Sequence, residues 1–206
     1  MKSTRIAALA SIAMLGITAC GSDAKTSSPS IPAETSASSM TSSSTMMDPA
    51  AGFNDADVQF AQGMIPHHEQ AIEMADIALD PTVAAGDVVT ALATRIKGEQ
   101  DPEIQLMTGW LTTWGQPMQM TTDSGHDMSS MDGMMSAEDM DALSAARGAE
   151  FDKLWQEMMI KHHQGAIDMA ASETVNGSDP EALALAGQIT TAQQAEIAEM
   201  TTNLAG

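Results

Sequence analysis

Cysteine occurs once in this chain, at Cys20. A disulfide within the chain is therefore excluded, and any metal chemistry must fall to histidine, methionine or carboxylates. Basic residues are scarce: eight Lys and Arg stand against 28 Asp and Glu, a formal charge of −20. Losing Lys2 and Arg5 with a cleaved leader takes this to −22. Nucleic acid and a basic membrane-binding face are excluded on that ground, because phosphates would be repelled. Attraction of cations is compatible with it. The N-terminal apolar run, Ile6 to Thr18, covers 13 residues and is too short for an ordinary spanning helix. Nowhere do apolar and polar residues alternate as they would in a strand.

Behind the basic Lys2 and Arg5, that run reads as a secretory signal over residues 1–19. It ends in Ile17-Thr18-Ala19-Cys20, which resembles a bacterial lipobox. Cys20 is thus expected to be lipidated, becoming the N-terminus and anchoring the protein to a membrane outside the cytoplasm. Residues 20–52 are rich in Ser, Thr, Ala and Pro and nearly devoid of large apolar side chains. Such a segment cannot bury enough surface to offset its chain entropy, and is expected to be a disordered tether. Met40, Met46 and Met47 on it are read as incidental. Residues 53–206 suit one domain.

Within that domain a double-histidine segment occurs twice, 95 residues apart. Met64-Ile65-Pro66-His67-His68-Glu69-Gln70-Ala71-Ile72-Glu73-Met74-Ala75 lines up with Met159-Ile160-Lys161-His162-His163-Gln164-Gly165-Ala166-Ile167-Asp168-Met169-Ala170. Asp57 matches Asp152, and Phe60 matches Trp155. With a two-residue shift, Ile96, Gln100, Glu103, Ile104 and Met107 match Ile189, Gln193, Glu196, Ile197 and Met200. The domain is two copies of one helix-loop-helix unit.

Four long helices are expected. The first runs from about Asn54 to Ala78, capped by Asn54 or Asp55 and stopped at Asp80-Pro81. The second runs from near Asp87 to Trp114, with a kink or break at Pro102. A short helix capped by Ser136 and Asp139 precedes the third, Gly148 to Val175. The fourth opens with Asp179 as cap and Pro180 as first residue, and reaches about Leu204. Neither hairpin can bury its apolar stripe alone, so the fold class is all-α, a four-helix bundle with internal twofold symmetry.

At about 100° per residue, Asp57, Phe60, Met64, His68, Ala71 and Ala75 share one stripe, with His67 and Met74 on its flank. Asp152, Trp155, Met159, His163, Ala166 and Ala170, with His162 and Met169, repeat it. Imidazoles therefore face the bundle interior or its edge, beside thioethers one turn before and up to two turns after. Methionine at helical spacing is commonly core filler, but two copies that both keep the histidine pair favour a metal site: His67, His68, Met64 and Met74, with His162, His163, Met159 and Met169. Asp57, Asp152, Glu103 and Glu196 are further possible ligands. Protonation of such imidazoles would compete with metal as pH falls through about 6.5. The linker at 116–135 adds Met118, Met120, His126, Met128, Met131, Met134 and Met135 within 18 residues. It lacks the periodicity of a packed helix, so these methionines do not build a core. Soft thioethers select Cu(I), and imidazole suits copper in either oxidation state.

The Met-Ile-x-His-His-x-x-Ala-Ile-x-Met-Ala segments, with Gln-x-x-Glu-Ile on the following helices, resemble the domain of unknown function family 305. The resemblance covers roughly residues 53 to 204. It implies a ferritin-like helical bundle, an extracytoplasmic location, and copper binding or resistance for some members. Carried onto this chain, the matching positions are His67, His68, Met64, Met74, His162, His163, Met159 and Met169. Three functions are thus in view. The first is a copper-binding lipoprotein, not an enzyme, that buffers or passes on the metal to copper-handling proteins. The second is a ferritin-like carboxylate/His metal oxidase using Asp57, Asp152, Glu103 and Glu196. The third is a metal-free module whose Met-rich linker docks a partner. One interior carboxylate per repeat is few for carboxylate-bridged iron, and a metal-free module leaves the paired histidines unexplained. Copper binding is the expectation.

Overall fold

The computed structural model describes residues 52–119 and 131–206. The leader, Cys20, the tether up to residue 51, and Met120, His126 and Met128 of the linker lie outside them. Five helices follow in order: α1 (Asp55–Leu79), α2 (Asp87–Thr113), α3 (Ala137–Ala145), α4 (Gly148–Asn176) and α5 (Pro180–Ala205). Local chemistry sets their ends. The Asn54 side chain accepts the amides of Ala56 and Asp57 while Asp57 accepts the Asn54 amide, a reciprocal cap that opens α1. Ser136 and Asp139 open α3 in the same way. Asp179 caps α5, with Pro180 in the first turn. Beyond α2, Gly115 takes φ +66°, a left-handed conformation that ends the helix at little steric cost.

Pro102 neither ends nor splits α2, which runs unbroken through it. A proline inside a helix strands the carbonyl four residues earlier. Here that residue is Gly98, exposed and without a side chain, so water can reach the freed group.

The long helices form two hairpins, α1 with α2 and α4 with α5, joined face to face through α1 and α4. Those two run antiparallel. The Trp155 indole donates to the Met74 carbonyl at 2.9 Å, and the rings of His67 and His162 lie 3.7 Å apart. Met74 and Trp155 are each seven positions from that histidine pair, in opposite directions along their helices. At the crossing, a residue of the first repeat meets its own counterpart in the second. The bundle's approximate twofold axis therefore passes through His67 and His162.

Two buried clusters lie on either side of this axis. One gathers Met74, Val89, Leu92, Phe151, Trp155, Met159 and Met200. The other gathers Phe60, Met64, Met107, Leu111, Leu185 and Ile189, with half-buried Met169 packed on it. Along α1 and α4 the double histidines fall between the two clusters.

Each hairpin also ties down the turn of the other. Asp57, fully buried, accepts the amides of Ser178 and Asp179 in the α4–α5 turn at 3.0 and 2.9 Å. Asp152 accepts the amide of Gly86 in the α1–α2 turn at 2.9 Å. Both stand ten residues before the axial histidine of their helix, about 15 Å along it. Of the possible ligands, the structure thus places Asp57 and Asp152 as carboxylate latches between hairpins, apart from the imidazoles. The shared stripe put them on the right face but said nothing of their height along it.

Candidate metal centre

All four repeat histidines are buried, none more than 1% exposed. His68 and His163 each have a carboxylate from the helix behind them. His68 Nε2 lies 2.7 Å from Glu103 Oε2 on α2, and His163 Nε2 lies 2.8 Å from Glu196 Oε2 on α5. Glu196 also accepts from Arg95 Nε at 3.2 Å. The matching Gln-x-x-Glu patterns thus deliver one glutamate to each histidine. The glutamines of those patterns, Gln100 and Gln193, are buried too, and their carbonyl oxygens find no partner among the described residues.

His67 and His162 have no such support. Among the described residues, neither nitrogen of either ring has a hydrogen-bond partner, and Nδ1 of His68 and of His163 has none. Six buried imidazole nitrogens of the two double histidines are left open, four of them on the axial pair. A buried polar group without a partner costs about 1–3 kcal/mol, so a fold that keeps six of them calls for an explanation. Burial, then the neighbouring His68 and His163, hold His67 far below its usual range, at about 3, against a weaker upward pull from the Asp132 backbone. Burial, then His67, His163 and His68, push His162 down as well. These rings stay neutral well below pH 6.5. Proton competition at His67 is therefore displaced far below the range of an exposed imidazole.

Neutral imidazole is the form that binds metal, and Met64, Met74 and Met159, all fully buried, belong to the flanking clusters. Among the described residues no group of three or more His, Cys, Asp or Glu side chains is gathered closely enough to hold a metal ion. The donors at the axis are paired imidazoles with thioethers nearby in each cluster, and the donor set is soft. It fits copper, Cu(I) above all, better than a hard ion wanting several oxygens.

The linker leaves and rejoins the bundle over α1. Gln62 donates to the Pro117 carbonyl at 2.7 Å; the following Met118 is exposed. At the returning end the Gln70 amide donates to the Met135 carbonyl at 3.0 Å and accepts the Met135 amide at 2.7 Å. Met135 is buried in a hydrophobic cluster, while Met131 and Met134 are half-buried. Gly133, at φ +86°, crosses α4 at Gly165. A Cβ on Gly165 would strike the Asp132 carbonyl and come within 2.8 Å of Gly133 Cα. Residues 131–135 thus form a strap beside the axial histidines, seated on Gln70 and Gly165.

Sequence reasoning missed both seats, although they occupy equivalent places in the repeat and differ. If the strap shields the centre, Gln70→Ala, by losing two hydrogen bonds of about 1 kcal/mol each, will raise the unseated fraction roughly thirtyfold. Gly165→Ala will unseat it by collision. The rate at which diethyl pyrocarbonate modifies His67 in the metal-free protein measures this. Equal rates in wild type and both variants would refute the shielding.

The sequence profile of the domain of unknown function family DUF305 matches residues 57–204. The chain belongs to this family. A DUF305 member from Streptomyces coelicolor, described as secreted, is 30% identical over 73% of this chain and 92% of its own, with a TM-score of 0.67. A DUF305 fragment from Deinococcus radiodurans is 32% identical over 74% of this chain and 97% of its own, with a TM-score of 0.65. CopM in its Cu(II)-bound form is 34% identical over 72% of this chain and 95% of its own, with a TM-score of 0.61. CopM structures with Cu(I), with silver and without metal also match. No curated protein matches.

Proposed function

We propose that this DUF305 protein is an extracytoplasmic copper-binding lipoprotein that sequesters or hands on the metal and does not turn over a substrate. The observation that carries this reading is the set of six open, buried imidazole nitrogens of the two double histidines, in a fold that CopM shares and in which CopM is found with copper bound. His67, His68, His162 and His163 would hold the ion, with Met64, Met74, Met159 and Met169 as thioether neighbours. The linker methionines, Met118, Met120, Met128, Met131, Met134 and Met135, with His126, would supply a looser set, because ordering that segment on a metal costs conformational entropy. The oxidase reading is weakened because Glu103 and Glu196, the carboxylates at the centre, are already committed to imidazoles.

The extracytoplasmic location is supported by the leader-like N-terminus and by the Streptomyces relative described as secreted. Among the described residues no helix is long and apolar enough to cross a membrane; the anchor in this proposal is lipid on Cys20. Cys20→Ala should move the protein from the membrane fraction to the soluble one, and unchanged fractionation would refute the anchor. Copper-handling proteins at the same surface are the partners that fit.

The deciding test of metal choice is competitive loading. Purified protein, exposed under reducing conditions to equal copper, iron, zinc and manganese and then desalted, should retain copper in excess of the others. Selective retention of iron or manganese would favour oxidase chemistry in its place.

A further inference from the structure

We infer that Glu103 and Glu196 are positioning residues that fix the tautomer of His68 and His163, so that these two histidines offer Nδ1, and not Nε2, to a metal. The inference rests on the copper-binding reading above and adds which atom binds and what sets it. Each glutamate has one oxygen within 2.8 Å of an Nε2, and the Nδ1 atom on the other side of each ring is buried without a partner.

Two neutral tautomers are possible. With the proton on Nε2, the carboxylate accepts it and Nδ1 keeps a free lone pair. With the proton on Nδ1, a buried N–H would have no acceptor, and orphaned donors are the rarer case in folded proteins. The first form is favoured. A carboxylate accepting the remote N–H also makes the opposite nitrogen a better electron donor to metal and fixes the ring's orientation. Glu103 and Glu196 come from different hairpins and occupy matched repeat positions, so the device is built once per repeat. His67 and His162 have no carboxylate partner, and their rings pack against each other at 3.7 Å. The two repeats thus combine two imidazoles oriented by carboxylates with two whose nitrogens are all open.

Side-chain ¹⁵N and ¹³C NMR of the full metal-free chain reads the tautomers directly. His68 and His163 should each give the Nε2–H pattern. Glu103→Gln keeps a carbonyl that can accept from Nε2–H and should preserve the pattern at His68. Glu103→Leu should give a tautomer mixture there and leave His163 unchanged. Silver ion, a diamagnetic stand-in for Cu(I), should then shift Nδ1 of both histidines, and Glu103→Leu should weaken its binding about tenfold, the lower end for loss of such a partner. An Nδ1–H pattern in the wild type, or silver shifting Nε2, would overturn the inference while leaving copper binding in place. An Nε2–H pattern with no silver binding would overturn the copper-binding reading, leaving the tautomer assignment supported.

Discussion

Changing both His67 and His162 to leucine will strip copper from the bundle and leave the metal-free protein more stable than the wild type. The two effects have one cause. Both rings are buried, and all four of their nitrogens lack partners among the described residues. Leucine has a similar volume and no polar atom, so the desolvation penalty of those nitrogens disappears with the ligands. Unpaired buried groups cost about 1–3 kcal/mol each. A net gain of about 2 kcal/mol, or roughly 5 °C in melting temperature for a domain of this size, is expected after allowing for imperfect packing. Copper stoichiometry and thermal unfolding of the variant check both halves. Undiminished copper would refute the axial site, and a fall in stability would refute the account of the open nitrogens. Stability withheld for a binding site is a common trade in folded proteins.

Glu173→Gln will stabilise the protein above neutral pH and flatten the alkaline side of its stability profile. Glu173 on α4 is 1% exposed, and neither of its carboxylate oxygens has a conventional donor among the described residues. Its neighbour is Asp57, which accepts the amides of Asn54, Ser178 and Asp179. Burial first, then the Asp57 carboxylate, push Glu173 up to about 8. Hydrogen bonds, including one from Glu173, hold Asp57 below its usual range despite its burial. With Glu173 raised and Asp57 lowered, Glu173 is the member of the pair that keeps its proton at neutral pH.

An acid raised in the folded state contributes stability in full below its unfolded value, near 4.5, and loses it as pH climbs to about 8. Wild-type stability should therefore decline across that window and level off above it. Glutamine keeps the donor and cannot ionise, so the variant should gain on the order of 2 kcal/mol over wild type at pH 9. Urea unfolding between pH 5 and 9 provides the measurement. Parallel profiles for the two proteins would show that Glu173 is ionised throughout.

What the sequence revealed was what the repeat duplicates. Helical spacing put the histidines and methionines on one buried stripe, and caps such as Asn54, Ser136 and Asp179 marked helix starts that the structure keeps. Periodicity gives the face of a residue but not what lies opposite, so the stripe offered Asp57 and Asp152 as possible ligands and could not show the turns that they hold. Glu103 and Glu196 lie on the following helices, and only tertiary packing brings them to His68 and His163. The features missed altogether sit where the copies disagree. Gln70 stands opposite Gly165 in the alignment, and Ala78 opposite Glu173. A single linker can lie over only one side of a symmetric bundle, so its seats must break the repeat, and a search for matches passes over them. Met120, His126 and Met128 lie outside the described residues and are not tested.

The reciprocal latches bear on how such a molecule could arise. Asp57 closes a turn that belongs to the other hairpin, and Asp152 returns the contact. One hairpin by itself would have an unclosed turn, an exposed stripe and half of an imidazole pair. Two identical copies would satisfy all three at once, each lending its aspartate to the other and meeting its twin across the dyad at the histidine. The present chain has the logic of a homodimer made permanent by gene fusion. In a single chain the two halves can differ, and two of the positions where they do, Gln70 against Gly165 and Ala78 against Glu173, hold the strap and the buried acid.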